Sequence, residues 1–480
     1  MSRHFTAEAL FGPPGTGKTT DILRLVGEAR NEGYAASDIG FFSFTKAAAG
    51  EALKRLGITR SDKISTLHSL AFRAAGASPM QMVDGYKLRK FGRAAGIEFS
   101  GAQSDEYGEQ MEDGDKYLAI YGLARSRLTD PRTEYYASER PGDFARFEHC
   151  IESYESWKKA YGFLDFTDLI EMYVRNPRNH GARVLFIDEA QDLSPLQWQM
   201  LDRMVAFAEV ERVTIAGDDD QAIYEWAGAD PHGMTKFLER YDGQSRVLAQ
   251  SYRVPQAVHD VARSVVQTIR TRVQKRYRAA PRPGQVVRYG SGFEAASVAH
   301  GDDVLILCRS HTQKKETEEA LVASRVPYRV EGGKPGLFDS VWANGIRTLR
   351  KLEAGGEISP TELETLTKTA TNAGKAALNT RDFKKLLQLG PERAIAIPAH
   401  LVEFFRDADL SQTPTIRVST IHASKGREAR HVVLNTGITA RTENAIDTDP
   451  DAEARVWYVG VTRAKERLDI VSGFDRSYTL

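Results

Sequence analysis

Three groups of side chains in this chain stand where phosphate chemistry would want them. The stretch 11–20, FGPPGTGKTT, fits the phosphate-binding pattern GxxxxGK[ST] at every fixed position. Gly12, Gly15 and Gly17 let the backbone curl with its N–H groups inward, Pro13, Thr16 and Thr20 complete the loop, and the helix that follows adds its positive end. Lys18 would reach the terminal phosphates of ATP and Thr19 would ligand Mg²⁺. The second group is Asp188 and Glu189, which emerge after the apolar run VLFI. One carboxylate would hold the metal's water shell while the other orients and deprotonates the attacking water, since phosphoryl transfer needs little beyond positioning and charge neutralisation. Gln221 would sense the γ-phosphate through the same water. The third group is Arg253 in QSYR and Arg463 in YVGVTRA. Were ATP to lie between two domains, both would reach the γ-phosphate, and such fingers are worth roughly 10³ to 10⁵ in rate.

The elements that must position these groups read as alternating strands and helices. One strand precedes the loop and a helix over 18–31 follows it. A strand over 39–45 and a helix over 46–57 closed by Gly57 continue a β-α-β-α opening that predicts a parallel sheet. After ISTLHS (64–69) the pattern turns helical and polar, with the acidic stretch DEYGEQMEDGD (105–115) read as a solvated loop. Phe144, Phe147, Cys150, Ile151, Tyr154 and Trp157 fall on one helical face and read as core. The sheet resumes at 182–194, 212–230 and 246–253. A second unit follows, with strand-like runs VVRYG, VLILCR, TIRVSTIH, HVVLN and ERLDIVSG around a helical stretch near 335–410. The expected division is therefore 1–75 with 151–253, a helical insertion at 76–150, then 254–334 with 411–480 around a second insertion at 335–410.

Composition narrows the class. Lys plus Arg and Asp plus Glu are 65 each in 480 residues, so a polyanion must be held in a local groove. The two cysteines, Cys150 and Cys308, read as buried free thiols in a reducing compartment, and two cannot build a zinc site. With no signal peptide and no long apolar run, the expected location is the cytoplasm, with no membrane partner.

The chain resembles superfamily 1 helicases of the UvrD/Rep type. The stretches that carry the resemblance run in that family's order from residue 11 to 471: GPPGTGKTT, FFSFTKAAAGEAL, STLHS, LDFTDLI, FIDEAQDLS, GDDDQAIYEWAGAD, QSYR, STIHASKGRE and YVGVTRAKERL. The resemblance implies an α/β fold of two RecA-like P-loop domains, each with a helical insertion. It implies Lys18 and Thr19 as phosphate and Mg²⁺ ligands, Asp188 as a Mg²⁺ partner, Glu189 as base, and Gln221, Arg253 and Arg463 as γ-phosphate contacts. It further implies Tyr252 as an adenine-stacking ring, Glu428 as a ribose contact, and Phe44, Thr66, His68, Tyr224 and Trp226 along a single-stranded DNA path. Tyr224 and Trp226 would lie on one face of an extended segment, a placement that suits base stacking or a core role alike. The chain departs from the family's pattern at Thr20, Lys46, Glu225 and Ala227 and has a small second insertion.

The function implied is an ATP-driven helicase moving 3′ to 5′ on single-stranded DNA and opening single-strand/duplex junctions. The 5′ to 3′ branch usually lacks the Tyr and Trp that this chain has at 224 and 226. No appended nuclease is expected after YVGVTRAKERL, so a nuclease would be a separate partner. The alternative is an NTP-dependent sensor of DNA ends or of a protein partner in a repair, phage or defence complex, with little unwinding.

Overall fold

The computed structural model describes residues 5–43, 46–55, 63–100, 111–138, 142–290, 294–332 and 336–480. The chain divides into two units: Met1–Tyr252 with Arg270–Arg278, and Arg253–Ile269 with Ala279–Leu480. Arg270–Arg278 returns to the first unit, where the expected division had 254–334 wholly in the second. The cause is charge, because Arg272 and Lys275 are buried against Asp218, Asp219 and Asp220.

The first unit is built on six strands: β1 (Thr6–Phe11), β2 (Ile39–Ser43), β3 (Ile64–Thr66), β4 (Val184–Asp188), β5 (Arg212–Gly217) and β6 (Gln244–Val247). Their order is β3-β2-β4-β5-β1-β6 and every pair is parallel. Parallel neighbours need crossover connections, so all the C-terminal ends meet at one edge, where open α/β sheets bind ligands. There the register sets Phe11 opposite Gly217 and Ser43 opposite both Asp188 and Thr66. The loop after β1 leads straight into α1 (Lys18–Asn31), which buries Ile22, Val26 and Ala29. α2 (Lys46–Arg55) joins β2 to β3. The run ISTLHS is strand only to Thr66, because the Thr66 hydroxyl accepts from Ser69 N at 3.1 Å and caps α3 (Leu67–Ala74).

Between α3 and β4 lie α4 (Gly85–Ala95), α5 (Asp113–Arg127), α6 (Pro131–Ala137), α7 (Phe144–Tyr161) and α8 (Phe166–Arg175). The aromatic face of α7 is core: Phe147, Cys150 and Tyr154 are buried with Phe91 and Tyr117, and Phe144, Ile151 and Trp157 pack at the margin. α7 runs unbroken through residue 150, where the pattern ended the insertion, and stops at Gly162, whose φ is 66°. The acidic stretch is also corrected. Its last residues open α5, and buried Asp115 accepts from Ser100 N at 2.8 Å and Glu112 N at 3.3 Å, a capping role that charge alone does not reveal. The rest of that stretch, 105–110, lies outside the described residues.

The two aspartates of LDFTDLI cap α8 reciprocally and hold the insertion together. Arg125 Nη1 lies 2.9 Å from Asp165, Nη2 2.5 Å from Asp168 and Nε 2.8 Å from Glu171, while Lys158 Nζ lies 2.8 Å from Asp165 and 2.7 Å from Asp168. α9 (Pro195–Met204) and α10 (Gly233–Tyr241) then cover the sheet with Trp198, Leu201 and Phe237.

The run RVLAQSYR is split between β6 and β7 (Gln250–Pro255), and β8 (Arg278–Ala280) follows. The second unit has β9 (Gln285–Tyr289), β10 (Val304–Cys308), β11 (Arg329–Val330), β12 (Ile416–Thr420), β13 (Ala429–Asn435) and β14 (Ala464–Val471). They form a second all-parallel sheet in the order β11-β12-β10-β13-β14-β9. Helices between β11 and β12 enclose a core of their own that includes Phe338, Ile346, Leu366, Leu386 and Phe404. Cys150 and Cys308 are buried free thiols, and burial pushes each up to about 12. No helix among the described residues is long and apolar enough to cross a membrane.

Arg125→Met should leave part-buried Asp165 and Asp168 with Lys158 as their remaining cation and Glu171 with Arg175. We expect a loss of roughly 3–5 kcal/mol in urea unfolding, the cost of breaking a buried ion network from one side; a midpoint equal to wild type would show that the network contributes nothing.

Candidate functional site

The loop after β1 is closed by its own hydrogen bonds. Thr16 Oγ1 and Thr16 N both donate to the Pro13 carbonyl, at 2.7 and 3.1 Å, and Gly12 N donates to Gly217 O at 2.9 Å. Gly15 and Gly17 have φ of 72° and 79°, the left-handed region that turns successive amides to one side. At Gly12 the requirement is space, since a Cβ would stand 2.8 Å from the Lys18 side chain. The segment 251–252 laces the loop from outside: Ser251 Oγ donates to Pro14 O and Tyr252 N to Gly15 O, both at 2.8 Å. The Tyr252 ring is left 70% exposed beside the loop. Thr20 is exposed on the first turn of α1.

The sheet edge brings four of the predicted residues together. Thr19 Oγ1 donates to Asp188 Oδ2 at 3.2 Å, and Lys18 Nζ lies 3.3 Å from Glu189 Oε2. Burial would strip the Lys18 ammonium of its proton, but Glu189, Asp188 and Asp218 outweigh it and hold the group above the ordinary lysine value. Asp188 is pushed up to about 6, first by burial and then by the Glu189 carboxylate. A divalent cation on Asp188 and Thr19 would reverse that displacement, so the donor set fits a hard, oxygen-seeking ion. Glu189 sits at φ 55°, a left-handed conformation that costs a non-glycine residue about 1–3 kcal/mol and collects at functional sites.

Gln191 is a residue the motif reading quoted without giving it work. Fully buried, it donates from Nε2 to Glu189 Oε2 at 2.5 Å and accepts from Asp218 N through Oε1 at 3.0 Å, so it ties the end of β4 to the end of β5. Asp218 in turn accepts from Gln221 Nε2 at 2.7 Å, which fixes the predicted γ-phosphate sensor. Room for this relay exists because residue 217 is glycine: a Cβ there would lie 2.4 Å from Gln191 Oε1.

Tyr224 and Trp226 do not lie on an extended segment. Tyr224 precedes a 3₁₀ turn over Glu225–Ala227, and the two half-buried rings meet edge to face at 6.4 Å and 62°. The turn closes because Gly228 adopts φ 98° and Arg127, at the end of α5, donates to Glu225 O at 2.7 Å. Of the other residues predicted on the DNA path, Thr66 spends its hydroxyl on the α3 cap, and His68 meets Phe166 edge-on at 5.8 Å. Burial lowers the His68 pKa. Phe166, 55% exposed and inside the quoted LDFTDLI, could have been singled out as an aromatic flanked by two structural aspartates. Phe44 lies outside the described residues.

In the second unit, Arg253 Nε lies 2.5 Å from Glu428 Oε2, and Lys465 Nζ 2.5 Å from Glu428 Oε1. Burial would raise the Glu428 carboxyl, but Arg253 and Lys465 hold it below the ordinary glutamate value. Arg463 is buried, donating from Nε to Val459 O at 2.9 Å and from Nη1 to Arg427 O at 3.4 Å. Arg253, Glu428 and Arg463 thus gather around residues 427–428.

A parallel sheet with a phosphate loop after β1 and an Asp-Glu pair after β4, with β5 between them, is the arrangement of a P-loop NTPase. The UvrD/REP helicase N-terminal domain matches residues 7–242 and the UvrD-like helicase C-terminal domain residues 415–471; the chain belongs to the UvrD/Rep helicase family. It is 25% identical to the ATP-dependent DNA helicase UvrD2 of Mycobacterium tuberculosis, over 96% of this chain and 76% of that protein. It is 27% identical to the ATP-dependent DNA helicase Rep of Escherichia coli and 25% to DNA helicase II of the same organism. Each match covers 66% of this chain, and the matches span 52% and 48% of those proteins, about half their length.

Gln191→Leu should leave the buried Asp218 N–H without an acceptor, a loss of roughly 1–3 kcal/mol in chemical denaturation. Gly217→Ala should act in the same direction by pushing the Gln191 amide aside. Unchanged stability in both would mean that the link between β4 and β5 carries no load.

Proposed function

We propose that this chain is an ATP-dependent DNA helicase that hydrolyses ATP at the β1–β4–β5 edge and moves 3′ to 5′ along single-stranded DNA. The observation that carries the reading is the convergence of Lys18, Thr19, Asp188 and Glu189 at that edge, with an aromatic pair on the turn that follows Gln221. The names of the UvrD2 and Rep relatives support it.

In this reading the inward amides of the loop and the ammonium of Lys18 bind the β- and γ-phosphates, and the exposed ring of Tyr252 stacks on the base. Thr19 and Asp188 would hold Mg²⁺, which would supply neutralisation of phosphate charge. Lys18 is paired with Glu189, and an incoming phosphate competes for that ammonium and frees the carboxylate. Glu189, held by Gln191, then takes the proton of the attacking water. Gln221, Arg253 and Arg463 contact the γ-phosphate and Glu428 the ribose. Tyr224 and Trp226, with Phe44, Thr66 and His68, line the strand. Aromatic faces stack bases without reading sequence, which suits a motor that must accept any base. The cytoplasm, where the DNA of a bacterial cell lies, is the compartment this activity requires.

A second reading, an NTP-dependent sensor of DNA ends with little unwinding, is favoured by one observation: Glu225 and Ala227 flank Trp226, so neither neighbour offers a cation to the strand's phosphates. DNA-stimulated ATP hydrolysis beside strand displacement on a 3′-tailed duplex separates the two. Hydrolysis with displacement supports the helicase, and hydrolysis without it the sensor.

Lys18→Ala should abolish hydrolysis by loss of phosphate binding, and Glu189→Gln should bind ATP and leave it uncleaved. Turnover retained in both would overturn the site. Trp226→Ala should weaken single-stranded DNA binding by ~1–3 kcal/mol, the stacking energy of one base, with DNA-stimulated hydrolysis falling alongside. Because the ring is half-buried, the melting curve should stay near wild type, and a protein that unfolds instead would mark Trp226 as core.

A further inference from the structure

The segment Arg270–Arg278 belongs to the first unit although the chain on both sides of it belongs to the second. What holds it is a compact set of charges. Lys275 Nζ lies 3.2 Å from Asp218 Oδ1 and 2.9 Å from Asp220 Oδ2, and it also pairs with Asp219 Oδ1. Arg272 donates to Asp220 through Nε at 2.7 Å and Nη2 at 2.5 Å, and Val273 N donates to Asp219 Oδ2 at 2.7 Å. Lys275, Asp218 and Asp220 are each no more than 1% exposed at the side chain. The Lys275 ammonium also stands 5.8 Å from the centroid of Phe11, the last residue before the phosphate loop.

Three consecutive carboxylates this deeply buried repel one another, and without counter-charges the loop that carries them would open to water. The same loop carries Gln221, and Asp218 serves both sides. One of its oxygens receives Lys275; the other receives the Gln221 amide at 2.7 Å. Gln221 N is also bonded to Asp218 O at 2.8 Å, so two hydrogen bonds tie the place of the glutamine to where Asp218 is held.

We propose that Lys275 and Arg272 are positioning residues for the hydrolysis step: by clamping Asp218–Asp220 they fix the amide of Gln221 where it meets the γ-phosphate. The inference rests on Gln221 having that role. It assigns work to a segment that none of the phosphate, Asp-Glu or aromatic motifs includes.

The test compares wild type with Lys275→Met, Lys275→Arg, Arg272→Gln and Gln221→Ala, and adds Lys275→Met and Arg272→Gln in the Gln221→Ala background. Each full-length protein is measured for melting temperature, affinity for a fluorescent non-hydrolysable ATP analogue, and kcat and KM for ATP with single-stranded DNA. Lys275→Met should lower kcat by roughly 10- to 100-fold, the scale of a displaced catalytic contact, with analogue affinity unchanged. Lys275→Arg, which keeps a cation there, should recover most of the loss. Because the clamp acts through Gln221, neither clamp variant should lower kcat further in the Gln221→Ala background. Should Lys275→Met fail to fold, Arg272→Gln carries the same expectations, since it loosens the loop at Asp220 and leaves Lys275 in place. A folded clamp variant with wild-type kcat, or losses that multiply fully with Gln221→Ala, overturns the positioning role and leaves the ATPase reading intact. A wild-type protein that hydrolyses no ATP overturns the ATPase reading itself.

Discussion

Lys18 faces three carboxylates, Glu189, Asp188 and Asp218, at the edge of a sheet that excludes most water from them. The rest of the first unit is arranged around that imbalance. An edge with surplus negative charge is a poor receptor for a polyphosphate, so in the proposed mechanism the loop amides and the positive end of α1 would do much of the attracting and a divalent cation would offset the carboxylates. Asp188, pushed up to about 6, registers first its burial and then the same excess, through Glu189.

The sheet is the reason these groups can meet at all. β1, β4 and β5 are contributed by chain segments far apart in sequence, yet parallel pairing puts their C-terminal ends side by side, and register fixes which residues do the facing. Each of those ends was legible, because each motif is local: a strand, a turn and the start of a helix within about twenty residues, with the chemistry at the turn. The helix over Lys18–Asn31 and the strand ending at Asp188 fall where apolar runs and glycines place them.

What the sequence hid has a common physical character. The clamp of Lys275 on Asp218–Asp220 joins residues more than fifty positions apart by charge, and charge pairs leave no period in a sequence. The 3₁₀ turn at Glu225–Ala227 is closed by Gly228 and held from outside by Arg127 on α5, so the pattern of YEW taken alone reads as extended when it is not. Asp115 and Thr66 show the reverse case. Their side chains satisfy helix N-termini, a short-range use that acidic or motif context masks.

These features bear on how one ligand could influence the other. From Asp218 to Gly228 the chain has no long free stretch: the clamp and Gln191 hold its start, Ala222 and Ile223 are buried, and Arg127 with Gly228 fixes its end. Such a loop, in the proposed mechanism, moves as a block, because it is held at its start, its middle and its end. In the proposed mechanism a contact made by Gln221 with the γ-phosphate is therefore passed to the Tyr224 and Trp226 rings as a displacement of the whole turn, and strain cannot dissipate in backbone torsions between them. The element with two positions would be the turn together with the α5 end that grips it. That places the helical insertion, through Arg127, in the path between nucleotide and strand, a part its ion-paired interior equips it to play as a rigid body.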